Sequence, residues 1–423
     1  MRIFEALFSI SLFWPTELPI TKTFNTMNIL FVNCCTSATE FNKEFASLKI
    51  KPEASIQNYF QLLNKGLANA GCELFTLCER QISTVEKGLY RIGKCDEDSY
   101  GRYYYVPKLL IPGLSQIFSL LVNFVLAIKY IIRFRPDVVI CDVMRFYIST
   151  PTKLATKIMR VKCIGYAADL PQMYNHQFSK KQNVLLCVLK SMYSCPAKSY
   201  DAYLLLSKYM NELINPNDKP FIVVEGLVDT SSPKSESTPL PIKHNGRTVF
   251  MYAGGLHAKY GVRLLIDSVL ASKEDVELWL FGKGDQEKCV MGLASNRIKY
   301  FGYQSREFVL QKQMEANFLI NPRYSHKDYT KYSFPSKIME YMASAVPVVT
   351  THIKGIPDEY FQHLIPIEEE TIEGFEKVFE KCIAMNTDNR RNFGLEASLF
   401  VQNHKNCNEQ GKKLSNWLNT IVS

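Results

Sequence analysis

The stretch Tyr332-Ser-Phe-Pro-Ser-Lys-Ile-Met-Glu340-Tyr-Met-Ala-Ser-Ala-Val-Pro-Val-Val-Thr350 reads as the start of a helix followed by a short buried strand. Pro335 suits the first helical turn, where a missing N–H costs nothing, and Ser333 is the candidate cap before it. Ile338, Met339, Tyr341 and Met342 supply an apolar face, and Pro347 opens the run Val348-Val349. Helices alternating with buried strands are the repeat of a parallel α/β fold. The helix start also has chemical capacity. Its free N–H groups and partial positive charge can hold an anion such as a diphosphate. Lys337 in the first turn opposes the macrodipole unless an anion is present. Glu340, one turn on, offers a carboxylate for two ribose hydroxyls. An ordinary amphipathic helix is the plain alternative.

The alternation extends in both directions. Strands are expected at 28–33, 73–77, 138–141, 161–166, 201–206 and 221–224, with helices at 55–70, 114–134, 151–159, 181–195 and 208–214. Gly71 is the candidate C-cap of the 55–70 helix. A Ser-, Pro- and Lys-rich linker spans 229–246. Beyond it, strands are expected at 248–252, 276–281, 298–301, 317–320, 347–350 and 363–366. Helices should lie near 261–271, 284–294, 305–315, 335–343, 371–384 and 388–403. The expected organisation is an N-terminal extension (1–26), a first Rossmann-like domain (27–228), the linker, a second such domain (247–403) and a tail (404–423). Ligands of open α/β sheets bind beyond the carboxyl ends of the strands.

Three further segments follow expected strands. They are Met251-Tyr-Ala-Gly-Gly-Leu-His-Ala-Lys-Tyr-Gly-Val262, Val223-Val-Glu-Gly-Leu-Val-Asp229 and Lys162-Cys-Ile-Gly-Tyr-Ala-Ala-Asp-Leu-Pro171. Glycine lets a backbone approach a ligand closely, so Gly254 and Gly255 are either ligand contacts or a plain strand-to-helix turn.

Together these segments resemble the family-4 glycosyltransferases, most specifically across 320–360 and more weakly over most of 27–400. The resemblance implies a GT-B architecture: two Rossmann-like domains with a cleft between them, the second holding a nucleoside-diphosphate sugar of UDP or GDP type. The family pattern is Glu-x7-Glu. Glu340 matches the second Glu, and Tyr332 stands in place of the first. The family's two diphosphate-binding basic positions are occupied by Gly255 and Tyr260. Phosphate charge is therefore assigned to Lys259, Arg323 and Lys337, with the N–H groups of Gly254 and Gly255 and with Ser336 beside them. Arg323 can add a charge-assisted bond or serve in a surface salt bridge. Tyr303 stands where the family packs its nucleobase, or else in the core. Where many members place a His-Asp pair, Ala168 and Asp169 stand here. Asp169 is the candidate catalytic residue, orienting or deprotonating the acceptor hydroxyl; a capping or turn role is its alternative. The resemblance implies transfer with retention. It also implies that the last helix, around Leu414–Ile421, crosses back onto the first domain.

Composition bounds the rest. The chain has 423 residues, 47% of them hydrophobic, and is long enough for two domains. Twelve cysteines without Cys-x-x-Cys spacing point to thiols in a reducing compartment, and no metal-ligand spacing is present. Residues 101–200 hold 14 Lys/Arg against 3 Asp/Glu. A basic face attracts anionic lipid or nucleic acid, and a solvated surface is the plain reading. Because apolar residues accompany the charge, an anionic membrane surface is expected and nucleic acid is not. Leu109 to Ile128 carries no charge and is long enough to span a bilayer, but Pro112, Gly113, Gln116 and Asn123 argue against a span. A membrane contact and a buried helix are the remaining readings. The apolar run Ala6–Trp14 makes a poor secretory signal, with Glu5 before it and no cleavage site after. A start codon placed too early, or a weak membrane-associated tail, accounts for it.

The expected activity is therefore transfer of a sugar to a glycan or lipid-linked acceptor in surface polysaccharide synthesis. The expected location is the cytoplasm, peripherally on the inner face of the cell membrane. A nucleotide-sugar 2-epimerase is a second reading, weakened by the scarcity of histidines and carboxylates around the site. A non-catalytic sugar-nucleotide-binding protein is a third, kept open by Tyr332, Gly255, Tyr260 and Ala168.

Overall fold

The computed structural model of the chain describes residues 26–47, 54–80, 90–91, 93–111, 114–170, 196–229, 246–293 and 295–423. The N-terminal extension before residue 26, the helix expected over 181–195 and most of the linker lie outside the described residues.

Two sheets carry the chain. The first is built from β1 (Asn28–Asn33), β2 (Glu73–Cys78), β4 (Lys94–Asp98), β5 (Gly101–Tyr105), β7 (Val138–Asp142), β8 (Lys162–Ala167), β9 (Ala202–Leu205) and β10 (Phe221–Val223). Its order is β10-β9-β8-β7-β1-β2-β5-β4. All pairs are parallel except the β4–β5 hairpin. The two-residue strands β3 (Tyr90–Arg91) and β6 (Lys108–Leu109) pair separately. The second sheet comprises β11 (Thr248–Ala253), β12 (Val276–Phe281), β13 (Ile298–Gly302), β14 (Phe318–Asn321), β15 (Val348–Thr351) and β16 (Ile365–Ile367). It is wholly parallel, in the order β13-β12-β11-β14-β15-β16. Uninterrupted apolar strands such as Val138-Val-Ile-Cys are buried on both faces, as a helix-covered parallel sheet requires. Strand order reverses between β1 and β7 in the first sheet and between β11 and β14 in the second. Those reversals open crevices at the carboxyl edges of both sheets.

The helices are α1 (Ala38–Ser47), α2 (Ala54–Asn69), α3 (Leu114–Phe134), α4 (Phe146–Met159), α5 (Met210–Ile214), α6 (Val262–Ala271), α7 (Glu287–Met291), α8 (Arg306–Glu315), α9 (Ser336–Ala343), α10 (Ile372–Ala384), α11 (Thr387–His404) and α12 (Cys407–Val422). Helix α1 was not anticipated. Helix α4 begins five residues before its expected start, with Pro151 inside it. A proline there removes the bond to the carbonyl four residues back. That carbonyl, Tyr147, instead accepts from the buried Asn123 amide of α3 at 3.0 Å. The α9 expectation is also corrected. The helix starts at Ser336 with Pro335 as its N-cap residue, and Ser333 is extended backbone closing the preceding 3-10 turn (Asp328–Tyr332).

The chain returns to the first domain at its end. Helix α12 packs on α2, and the two backbones meet where both residues are glycine. A Cβ on Gly66 would lie 1.9 Å from the Cys407 carbonyl oxygen, and one on Gly411 would lie 2.2 Å from the Gly66 carbonyl carbon. Between the domains, Cys407 N–H donates to the Val228 carbonyl at 3.0 Å. Beside this crossing, Lys405 Nζ sits 2.6 Å from Glu225 and 2.5 Å from Glu359, and Tyr360 Oη donates to Glu225 at 2.8 Å. Glu225, Lys405 and Tyr360 are all buried.

Candidate functional site

The loops after β11, β13 and β14 and the start of α9 meet at the carboxyl edge of the second sheet. Tyr341 on the inner face of α9 fixes the helix there. Its hydroxyl accepts from Ala253 N–H at 2.8 Å and donates to the Ala253 carbonyl at 3.2 Å, at the last residue of β11. Gly254 and Gly255 follow directly, and the Tyr252 hydroxyl donates to the Gly255 carbonyl at 2.9 Å. Gly261 (φ 77°) brings the β11 loop against the β14 loop. A Cβ there would fall 1.8 Å from the Pro322 carbonyl oxygen, and the left-handed backbone itself favours glycine.

One basic cluster forms on these loops. The Arg323 guanidinium stands 4.7 Å from the centroid of the Tyr260 ring, and Lys259 Nζ stands 5.0 Å from it. Tyr260 is thus a platform for two cations, at a position where the sequence resemblance expects a basic side chain. Tyr329 Oη donates to the Lys259 carbonyl at 2.8 Å. Burial raises the phenols of Tyr252 and Tyr329, while Arg323 opposes that rise in both, which places its charge among three tyrosines.

A second cluster lies on α9. Lys337 Nζ is 2.7 Å from Glu340 Oε1, the Gln313 amide of α8 donates to the same oxygen at 2.9 Å, and Arg306 reaches Glu340 Oε2 at 3.9 Å. Burial pushes the Glu340 carboxyl up, but Lys337, Gln313 and Arg306 outweigh it and hold it below the usual carboxylate range. Ser336 is exposed at the first position of α9, and no side chain caps the helix. Tyr303 is exposed just after β13, with Lys283 Nζ 6.0 Å from its ring centroid.

In the first domain Asp169 is exposed just beyond β8. Asp142 is the last residue of β7, Arg145 lies three residues on, and their side chains face each other at 3.6 Å. Burial raises the Asp142 carboxyl above its ordinary range despite Arg145. The sequence singles out neither residue, although both stand at the carboxyl end of a buried strand as Asp169 does. Tyr332 packs against the first domain's apolar core, and Ser207 Oγ donates to the Lys331 carbonyl at 2.6 Å. The segment before α9 is therefore seated on both domains. Among the described residues, one acidic group is close enough to share a cation, Glu274 with Glu376 and Glu380. It lies before β12, at the opposite edge of the sheet.

Residues 247–383 match the sequence model of the family described as "Glycosyl transferases group 1". The chain carries a glycosyltransferase domain. The fold of the whole is GT-B, as comparison with solved structures shows. The sucrose-phosphate synthase of Thermosynechococcus elongatus superposes with a TM-score of 0.62 at 12% identity, over 93% of this chain and 99% of that one. The lipopolysaccharide outer core galactosyltransferase WaaB gives 0.59 at 16% identity, over 93% and 99%. HepE of Anabaena, solved in complex with UDP-glucose, gives 0.56 at 12% identity, over 93% and 100%. No curated protein sequence matches the chain. Within this glycosyltransferase domain, the β11 loop, Tyr303, the Arg323 cluster and the α9 cluster all fall inside the matched residues.

Proposed function

We propose that the chain transfers a sugar from a UDP-sugar to a glycan or lipid-linked acceptor, with retention, as a family-4 type enzyme of surface polysaccharide synthesis working on the cytoplasmic side of the membrane. One observation carries the reading. On the loops at the strand-order reversal of the second sheet a cation pair stands on Tyr260, and the Lys337–Glu340 pair stands at the start of α9, which no side chain caps. The nucleotide complexes of HepE support a UDP donor. Work on trehalose-6-phosphate synthase, whose structure superposes with a TM-score of 0.60 at 10% identity, concerns glycosyltransfer with retention and supports that outcome here.

In this reading the diphosphate takes the place of the absent cap. The N–H groups of the first α9 turn, the Ser336 hydroxyl and the Gly255 N–H point to phosphate oxygens; the Gly254 N–H, expected to join them, is instead given to the Phe281 carbonyl at 3.0 Å, so Gly254 closes the turn after β11. Arg323 and Lys259 supply positive charge. Lys337 turns from Glu340 to the phosphate, and Glu340, still held by Gln313, takes the ribose hydroxyls. Tyr303 stacks on the base. As the glycosidic bond breaks, charge grows on the leaving diphosphate where fixed donors already stand, so stabilisation is greatest at the transition state. The leaving phosphate oxygen accepts the acceptor's proton on the same face. No strong base is needed, and Asp169 orients the acceptor hydroxyl. Closure of the cleft keeps water from the reacting carbon.

The test is a thermal-shift panel of UDP- and GDP-sugars on the purified chain, followed by UDP release with and without oligosaccharide acceptors. Stabilisation by a UDP-sugar and acceptor-dependent release are expected. A chain that no nucleotide sugar stabilises, or one that isomerises the sugar without acceptor, contradicts the proposal.

A further inference from the structure

We propose that the outer face of α3 and α4 docks flat on an anionic lipid surface. Helix α3 is the one helix among the described residues that is long and apolar enough to cross a membrane, yet it is built two-sided. Val122, Leu126, Ala127, Tyr130, Ile131 and Phe134 are buried. On the opposite side Leu114, Ile117, Leu121, Val125 and Ile132 are 56%, 58%, 65%, 46% and 57% exposed. Their spacing follows the helical period, so they form one stripe along about 27 Å of axis. Helix α4 packs against α3 and adds Leu154 and Ile158, 54% and 59% exposed. Single exposed apolar side chains need no explanation, whereas a continuous stripe marks an interaction surface.

Charge selects the occupant. Neither helix contains an Asp or Glu. Arg135, just past the end of α3, and Lys157, Arg160 and Lys162, at and beyond the end of α4, are exposed. An apolar stripe with a basic end and no carboxylate is what a helix lying in a bilayer interface presents, with the stripe in the acyl boundary and the cations among anionic headgroups. A protein partner would have to supply an equally long apolar groove. Orientation follows from the fold. Helix α3 leads into β7, so its N-terminal end lies at the carboxyl edge of the first sheet, the edge that carries Asp142 and Asp169. Docking thus brings the first domain's half of the cleft beside the membrane. The inference rests on this surface alone, and its failure would leave the sugar-transfer reading standing.

The test is flotation of the full chain with phosphatidylcholine vesicles and with vesicles also containing phosphatidylglycerol. Binding to the anionic vesicles, weakened by salt, is expected. Replacing Ile117 and Leu121 by Glu, or Lys157 and Arg160 by Glu, should each weaken that binding roughly tenfold or more. All four side chains are exposed, so both chains should stay folded, the Lys157→Glu, Arg160→Glu chain melting slightly lower because its new carboxylates oppose the α4 dipole. Absence of binding to anionic vesicles, or binding indifferent to both substitution pairs, overturns the proposal. So does a dimer in light scattering that the Ile117→Glu, Leu121→Glu chain loses, since the face would then belong to a second copy.

Discussion

Lys337 Nζ lies 2.7 Å from Glu340 Oε1, three residues apart on α9. Without donor, the residue assigned to phosphate and the one assigned to ribose neutralise each other. Donor binding must therefore exchange this pair for two new ones, each partner gaining a charge-assisted bond. Glu340→Ala should lower turnover by roughly 100-fold or more, with the fold intact by circular dichroism. Lys337→Ala should weaken UDP by roughly tenfold and uridine far less, because a charged hydrogen bond contributes about 1.5–3 kcal/mol. Calorimetry with both ligands checks this. An equal loss for UDP and uridine would contradict the phosphate role of Lys337.

Arg323 and Lys259 share the Tyr260 ring, so the ring's shape matters more than its hydroxyl. Arg323→Ala should weaken UDP by roughly 10- to 100-fold. Tyr260→Phe should bind UDP like the parent, and Tyr260→Ala should lose about 0.5–2 kcal/mol through the missing platform. Titration calorimetry of the three variants separates these outcomes. Parental UDP affinity in Arg323→Ala would remove the arginine from the site.

The Glu340 carboxyl is held below the usual range, so its contribution to stability has a definite sign. It is present above the ordinary carboxylate pKa and is lost as pH falls through the lowered folded value. The melting temperature of the parent should exceed that of Glu340→Gln near neutrality, and the gap should close in acid. A gap constant down to pH values near 3 would show that the ionised pair contributes nothing.

Lys405 lies buried between Glu225 and Glu359 where the chain crosses domains. Burial lowers its pKa, but the two carboxylates outweigh burial and raise it. Lys405→Met leaves Glu225 buried without its cation and should cost about 3–5 kcal/mol, read as a fall in the denaturation midpoint. Adding Glu225→Gln should restore much of the loss, since the stranded charge is then gone. Failure of the double variant to recover would place the cost in packing.

The architecture was legible because its signals are local. Buried strands such as Val138-Val-Ile-Cys, the left-handed Gly71 after α2 and the α3 pattern running into β7 follow from spacing and backbone preference. The departures come from contacts distant in sequence. Sequence alone places a helix start at Pro151, because Asn123, which satisfies the carbonyl that the proline abandons, lies on a different helix. Ser333 has the residue type of a cap, whereas the chain there is extended and Gly355 packs directly against its carbonyl. At the site, the strand ends that lead into Gly254, Tyr303 and Arg323 are readable from the sequence. The partners of Glu340 are not, since Gln313 lies 27 residues away and Arg306 is on the same distant helix. Tyr332 looked like a lost carboxylate; the structure gives it a packing role against the first domain.

The most direct measurement is a crystal structure of the chain soaked with UDP. The account predicts the diphosphate at the N–H groups of the first α9 turn near Ser336 and within hydrogen-bonding distance of Arg323, with Lys337 drawn away from Glu340 and both ribose hydroxyls on that carboxylate. Nucleotide bound elsewhere, with the Lys337–Glu340 pair still closed, would contradict it.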